Sequence, residues 1–141
     1  MADTATIPAD KLRLVLVSAE AELLDTLCDE VTLPGRAGEL GVFPGHAPFL
    51  GTLQPGVLTY RDGSTDHRVA LTGGFCEVFE NGLRVLVDAA TLPADADAAA
   101  AREQLTEALQ AVESLSAESP EALIAAQDRV KVLEAQIEVA N

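Results

Sequence analysis

The sequence has no tryptophan, one tyrosine, one methionine and two histidines, and its four phenylalanines leave aromatics at only 4% of 141 residues. Since hydrophobic residues still reach 48%, the core has to be assembled from Val, Leu and Ala, and general disorder is excluded. Cations are scarce as well: nine Lys and Arg stand against 23 Asp and Glu, for a formal net charge of −14. Such a chain is repelled by phosphate backbones and anionic lipid, so neither nucleic acid nor direct lipid insertion is expected. The two cysteines, Cys28 and Cys76, lack CxxC or zinc-ligand spacing and read as buried free thiols on strands.

Also missing is a convincing membrane span. From Leu40 to Tyr60 no residue is formally charged, but the three prolines and four glycines inside that run would leave backbone groups unsatisfied in lipid. The opening "MADTATIPADKLRLVLVSAE" carries acidic residues around its short apolar run, which fits neither a signal peptide nor a transmembrane helix. A soluble, cytoplasmic protein of one domain, or one domain with a small appendage, is the expectation.

The usual signatures of catalysis are absent too. No GxSxG elbow flanks a Ser or Cys, and His46 and His67 stand alone, one in a proline-rich loop and one in a polar turn-to-strand region. Two isolated His and two isolated Cys make a poor metal set, and "TGGF" (Thr72 to Phe75) leads into a strand rather than a helix, so it reads as a hairpin turn and not a phosphate loop. No catalytic residue, metal or cofactor is expected.

What is present divides near Ala89. Before it lie short strands: "LRLVLV" (Leu12 to Val17), then a run in which Leu27, Val31 and Leu33 alternate with Cys28, Glu30 and Thr32 as one half-buried strand. Asp62-Gly63, Gly73-Gly74 and Asn81-Gly82 supply the positive φ of tight turns, and each is expected to join two antiparallel strands. Strands at about ten-residue spacing favour a sandwich or barrel.

After Ala89 the chain turns to Ala, Glu, Gln and Leu. Leu105, Leu109, Val112 and Leu115 share one helical face, as do Leu123, Ala126, Val130, Leu133 and Ile137. Asp95 or Asp97 can cap the first helix, and Ser119-Pro120-Glu121 starts the second with a cap, a proline at the first position and an acid at the positive end of the dipole. The predicted fold is an all-β sandwich over residues 1–90 followed by an antiparallel helical hairpin over 91–141. Ala-rich stripes bury little area, so the hairpin is expected to be marginal and able to move.

Between the strands lies "GELGVFPGHAPFLGTLQPG" (Gly38 to Gly56). Its prolines stiffen a loop bearing Phe43, His46 and Phe49, which suits a docking surface, although either Phe could instead point into the sandwich.

The succession "LPGRAGELGVFPGHAPFLGTLQPGVLTY", "LTGGFCEV" and "LRVLVDAA", then an Ala-rich hairpin, with "VSAE" at Val17 to Glu20, resembles the epsilon subunit of bacterial rotary F-type ATP synthases, relative of the mitochondrial delta subunit. The resemblance implies a ten-stranded sandwich and a non-catalytic central-stalk subunit, peripheral on the cytoplasmic side of the inner membrane. Its implied partners are the gamma subunit and the c-ring, with the alpha and beta subunits reachable by the hairpin. It implies a c-ring contact at Glu39 and a gamma-facing set of Ser18, His46, Ala47, Pro48, Phe49, Leu50 and Gly51.

The family's nucleotide motif, Ile/Leu-Asp-x-x-Arg-Ala, falls on Ala96 to Ala101, where Asp97 and Ala101 match but Ala96 and Ala100 replace the aliphatic residue and the arginine. Arg102 lies about 200° round the helix from position 100, so ATP sensing is not expected. The acidic hairpin likewise implies only weak inhibition of ATP hydrolysis, because inhibitory relatives carry basic residues there. The alternative reading is a free-standing sandwich adaptor docking a protein through the proline loop.

Overall fold

The computed structural model describes residues 6–115 and 119–141. Within them the chain forms β1 (Leu12–Ser18), β2 (Glu22–Cys28), β3 (Glu30–Gly35), β4 (Gly38–Val42), β5 (Phe49–Leu53), β6 (Gly56–Asp62), β7 (Thr65–Leu71), β8 (Gly74–Phe79), β9 (Gly82–Val87) and β10 (Ala90–Thr91). A short 3-10 turn at Pro93–Asp95 then leads to α1 (Ala98–Leu115) and α2 (Pro120–Ala140). The strands make two layers, β5-β8-β9-β1-β2 and β4-β3-β6-β7-β10, joined at a corner where Gly35 pairs with Leu53. The β1–β9 ladder is parallel, with Leu14 opposite Leu83 and Leu16 opposite Val85.

The core between the layers is aliphatic, as the composition requires. Leu12, Leu14, Leu16, Val31, Leu33, Leu58, Val69, Leu71, Leu83 and Val85 are buried in one cluster with both thiols, Cys28 and Cys76. All four phenylalanines lie at the surface instead.

Three local expectations are corrected. Leu27 and Cys28 do not continue the alternation of Val31 and Leu33: Cys28 is buried with those two residues, and Leu27 faces out. Asp29 interrupts the strand between them. Its N–H donates to the Arg61 carbonyl at 2.8 Å, while its carboxylate accepts from Lys11 Nζ at 2.6 Å and Gly63 N at 2.7 Å. The inserted residue reverses the phase of the alternation, as a bulge does.

Gly73-Gly74 does not make a hairpin, since β7 pairs with β6 and β10 while β8 pairs with β5 and β9. The pair carries the chain from one layer to the other with φ of 100° and 147°, and a Cβ on Gly74 would stand 2.0 Å from the Leu86 carbonyl oxygen, so only glycine fits. The β8–β9 turn sits one residue earlier than expected. Glu80 and Asn81 hold positive φ of 50° and 62°, and Gly82 already belongs to β9.

Both helices start where the caps lie. Asp97 Oδ1 accepts from Ala100 N at 3.1 Å, and Ser119 Oγ accepts from Ala122 N at 3.3 Å with Pro120 at the first helical position. The helices pack as a hairpin, tied where Arg129 donates to Gln104 Oε1 at 2.6 Å. Leu105, Val112 and Leu115 are half-buried, while Leu109 on the same stripe is exposed. The hairpin lies folded on the sandwich, with Ala135 and Val139 of α2 against Ala70 and Val57.

Candidate protein-docking face

The two layers turn very different outer faces to their surroundings. On β6 and β7 the outward residues nearest the hairpin, Val57 and Ala70, are small, and α2 covers them. Polar ties frame that contact: Arg36 pairs with Asp128 at 3.2 Å, Arg68 with Glu138 at 3.6 Å and with the Asn141 carbonyl at 3.1 Å, and Lys131 Nζ donates to Gln54 Oε1 at 3.0 Å.

The outer face of β5, β8 and β9 has no such cover among the described residues. Register places Thr52 opposite Phe75, Phe75 opposite Leu86, and Leu50 opposite Glu77, so these side chains share one face. Phe79 follows two residues after Glu77 and joins them. The exposures are large for apolar groups: 74% for Leu50, 59% for Phe79 and 55% for Phe75. Toward β1 and β2 the same face gains charged groups beside the outward Leu27: Arg13 grips Asp25 through bonds of 2.9 and 2.7 Å and holds its carboxyl below the usual range. An apolar centre with a charged rim is the anatomy of a protein interface rather than of a substrate pocket.

The proline loop runs along one end of this face. Phe43 is exposed, His46 Nδ1 lies 2.7 Å from the Ala47 carbonyl, and because that oxygen only accepts, the ring presents its N–H there. The His46 ring meets Phe49 edge-on with centroids 6.1 Å apart. Phe49 in turn lies across Gly51, where a Cβ would come within 2.6 Å of Cε2. Ala47 and Pro48 are exposed between them.

His46 to Gly51 are thus brought together at the β5 edge, while Ser18 lies at the opposite end of the layer, opposite Val87 in the β1–β9 ladder. Its Oγ accepts from Glu20 N and Ala21 N at 3.3 Å, bracing the β1–β2 turn. Glu39 belongs to the other layer: it is exposed on β4 and lines a groove with Pro34, Gln54, Lys131 and Glu134 beneath α2. Asp97 spends its carboxylate capping α1.

Phe75, Phe79 and Leu86 escaped the sequence reading, yet a signal existed. In "FCEVF" the two phenylalanines alternate in phase with Glu77, and in "LRVLV" Leu86 alternates in phase with Arg84, so the charges mark the outward side.

Residues 11–93 match the family model for the ATP synthase delta/epsilon chain beta-sandwich domain. The chain belongs to this family. An ATP synthase epsilon chain of Anaeromyxobacter sp. (strain Fw109-5) is 38% identical over 130 residues, covering 92% of this chain and 98% of the relative. That of Maricaulis maris (strain MCS10) is 39% identical over 104 residues, covering 74% and 78%. A chain from the Euglena gracilis mitochondrial ATP synthase (OSCP/F1/c-ring) superposes with a TM-score of 0.78 at 20% identity, over 100% of this chain and 88% of its own, a likeness of fold. As a delta/epsilon-family sandwich, the chain keeps its aliphatic core for itself and sends its four phenylalanines outward. No helix among the described residues is long and apolar enough to cross a membrane; the uncharged Leu40–Tyr60 run becomes β4, the loop, β5 and part of β6.

Proposed function

We propose that this chain is a non-catalytic central-stalk subunit of a rotary ATP synthase, coupling c-ring rotation to the catalytic head through the gamma subunit. The carrying observation is the bare apolar face of β5, β8 and β9 in a family whose relatives are ATP synthase epsilon chains. Burying Leu50, Phe75, Phe79 and Leu86 against gamma would supply the hot-spot cluster such a contact needs. Ser18 and His46 to Gly51 border that face from its two ends, and Glu39, on the other layer, meets polar loops of the c-ring. The complex thereby holds the chain peripherally on the cytoplasmic side of the membrane.

The folded hairpin is the resting arrangement, and its acidity makes it a weak brake. Deleting residues 95–141 should leave ATP hydrolysis by the whole complex nearly unchanged; a large increase would overturn the weak-brake reading. Asp97 is already engaged in a cap and Ala100 offers no guanidinium, so ATP at millimolar concentration should give no calorimetric signal. For the docking role, titration with purified gamma should yield a one-to-one complex that Phe75→Asp removes. A folded wild-type chain that fails to bind gamma and the assembled rotor would sink the proposal.

A further inference from the structure

The proline loop is shaped by internal contacts, but those do not fix where it sits. His46 N donates to the Phe43 carbonyl at 3.0 Å and the His46 ring bonds to Ala47, all within the loop. The anchor comes from the β8–β9 turn. Gly45 N donates to Asn81 Oδ1 at 2.7 Å, across a separation of 36 residues. Asn81 is itself held on further sides: its carbonyl accepts from Arg13 N at 2.9 Å, and Nδ2 reaches the Ala9 carbonyl at 3.4 Å. Its φ of 62° is a conformation Asn tolerates better than most residues, and Gly45 meets it with φ of 84°. The same turn carries Phe79, one of the exposed residues of the bare face.

We propose that Asn81 is a positioning residue that pins the proline loop to the β8–β9 turn, so that Phe43 and the His46 loop form one preformed surface with Phe79, Phe75 and Leu50. This rests on the docking role proposed above and adds a specific determinant to it. Pre-ordering of the loop lowers the entropy cost of association, so loss of the pin acts on binding more than on folding.

Two substitutions separate this role from a structural one. Asn81→Gly keeps the left-handed backbone but removes the acceptor for Gly45, whereas Asn81→Asp retains an acceptor oxygen at the same place. In titrations of the full-length chain with gamma, Asn81→Gly should bind roughly fivefold more weakly, the value of one net hydrogen bond, and Asn81→Asp should stay within about twofold of wild type. The melting temperature of Asn81→Gly should be unchanged, and its Gly45 amide should exchange faster.

Equal binding by wild type and Asn81→Gly would overturn the proposal, as would an affinity loss matched by a fall in melting temperature. An Asn81→Asp variant as weak as Asn81→Gly would overturn it too. If the wild type itself does not bind gamma, the docking role fails first and this inference falls with it, an outcome distinct from wild-type binding with an indifferent Asn81.

Discussion

The outer face of β6 and β7 and the outer face of β5, β8 and β9 use residues of opposite size. The first presents Val57 and Ala70 and receives Ala135, Val139 and Ala96, side chains small enough for a helix to approach closely. The second presents Leu50, Phe75, Phe79 and Leu86 with nothing from the described residues over them. Small contacts gain little, since burial is worth about 25 cal/mol per Å² of apolar surface. The covered face therefore holds its own hairpin lightly and leans on partly exposed ion pairs, while the bare face keeps the larger hydrophobic gain for another chain.

The comparison can be broken most severely at Phe79. Phe79→Asp should weaken gamma binding by at least ~100-fold, because it puts a charge into the centre of the desolvated contact. The isolated chain should keep its stability to within ~0.5 kcal/mol in chemical denaturation, since nothing buried is touched. A strongly destabilised variant would mean that the bare face belongs to the core.

On the covered face the order reverses. Val139→Asp buries a carboxylate with no partner and should cost about 2–3 kcal/mol of hairpin docking, read as faster proteolysis of α1 and α2, while gamma binding through the bare face persists.

A smaller effect should follow from the two arginines of the sandwich that pair with the hairpin. Surface ion pairs are worth under about 1 kcal/mol each, so Arg36→Ala and Arg68→Ala should each loosen the hairpin slightly. Raising the salt concentration should erase the difference from wild type. Protection that survives both substitutions and high salt would show that the two ion pairs do not hold α2 down.

Acid probes the polar end of the bare layer. The Arg13 bond comes first among the causes that lower the Asp25 pKa from the ordinary 3.8. The folded chain consequently binds fewer protons there than the unfolded chain, so this stabilisation is complete above the ordinary value and fades as pH falls through the depressed one. Denaturation profiles below about pH 4 should be shallower for Asp25→Asn than for wild type. Identical slopes would remove Asp25 from the acid response.

Sequence patterns carried the helices and much of the sandwich because those signals are short-ranged. Ser119-Pro120-Glu121 acts within one turn, and Leu12, Leu14 and Leu16 alternate over adjacent residues. The reading failed wherever distant groups intervened. The phase reversal at Asp29 needs Lys11, Arg61 and Gly63, which two other parts of the chain deliver. The crossing at Gly73-Gly74 looks locally like any hairpin glycine pair; only the distribution of strands between layers tells them apart. Of the candidate site, the loop from His46 to Gly51 was legible from its prolines and its family likeness, whereas Asn81 was not, since its partner Gly45 lies 36 residues away.

By itself the sequence determined an aliphatic core, a change from strand to helix near Ala89, the helix starts and the acidic character of the hairpin. Composition, periodicity and caps act locally or through sums over residues. Tertiary structure alone decided which sheet face the hairpin covers and which it leaves bare. Those outcomes depend on pairings such as β1 beside β9, and on where α2 finds small residues to lie against, and neither is written in any one stretch of the chain.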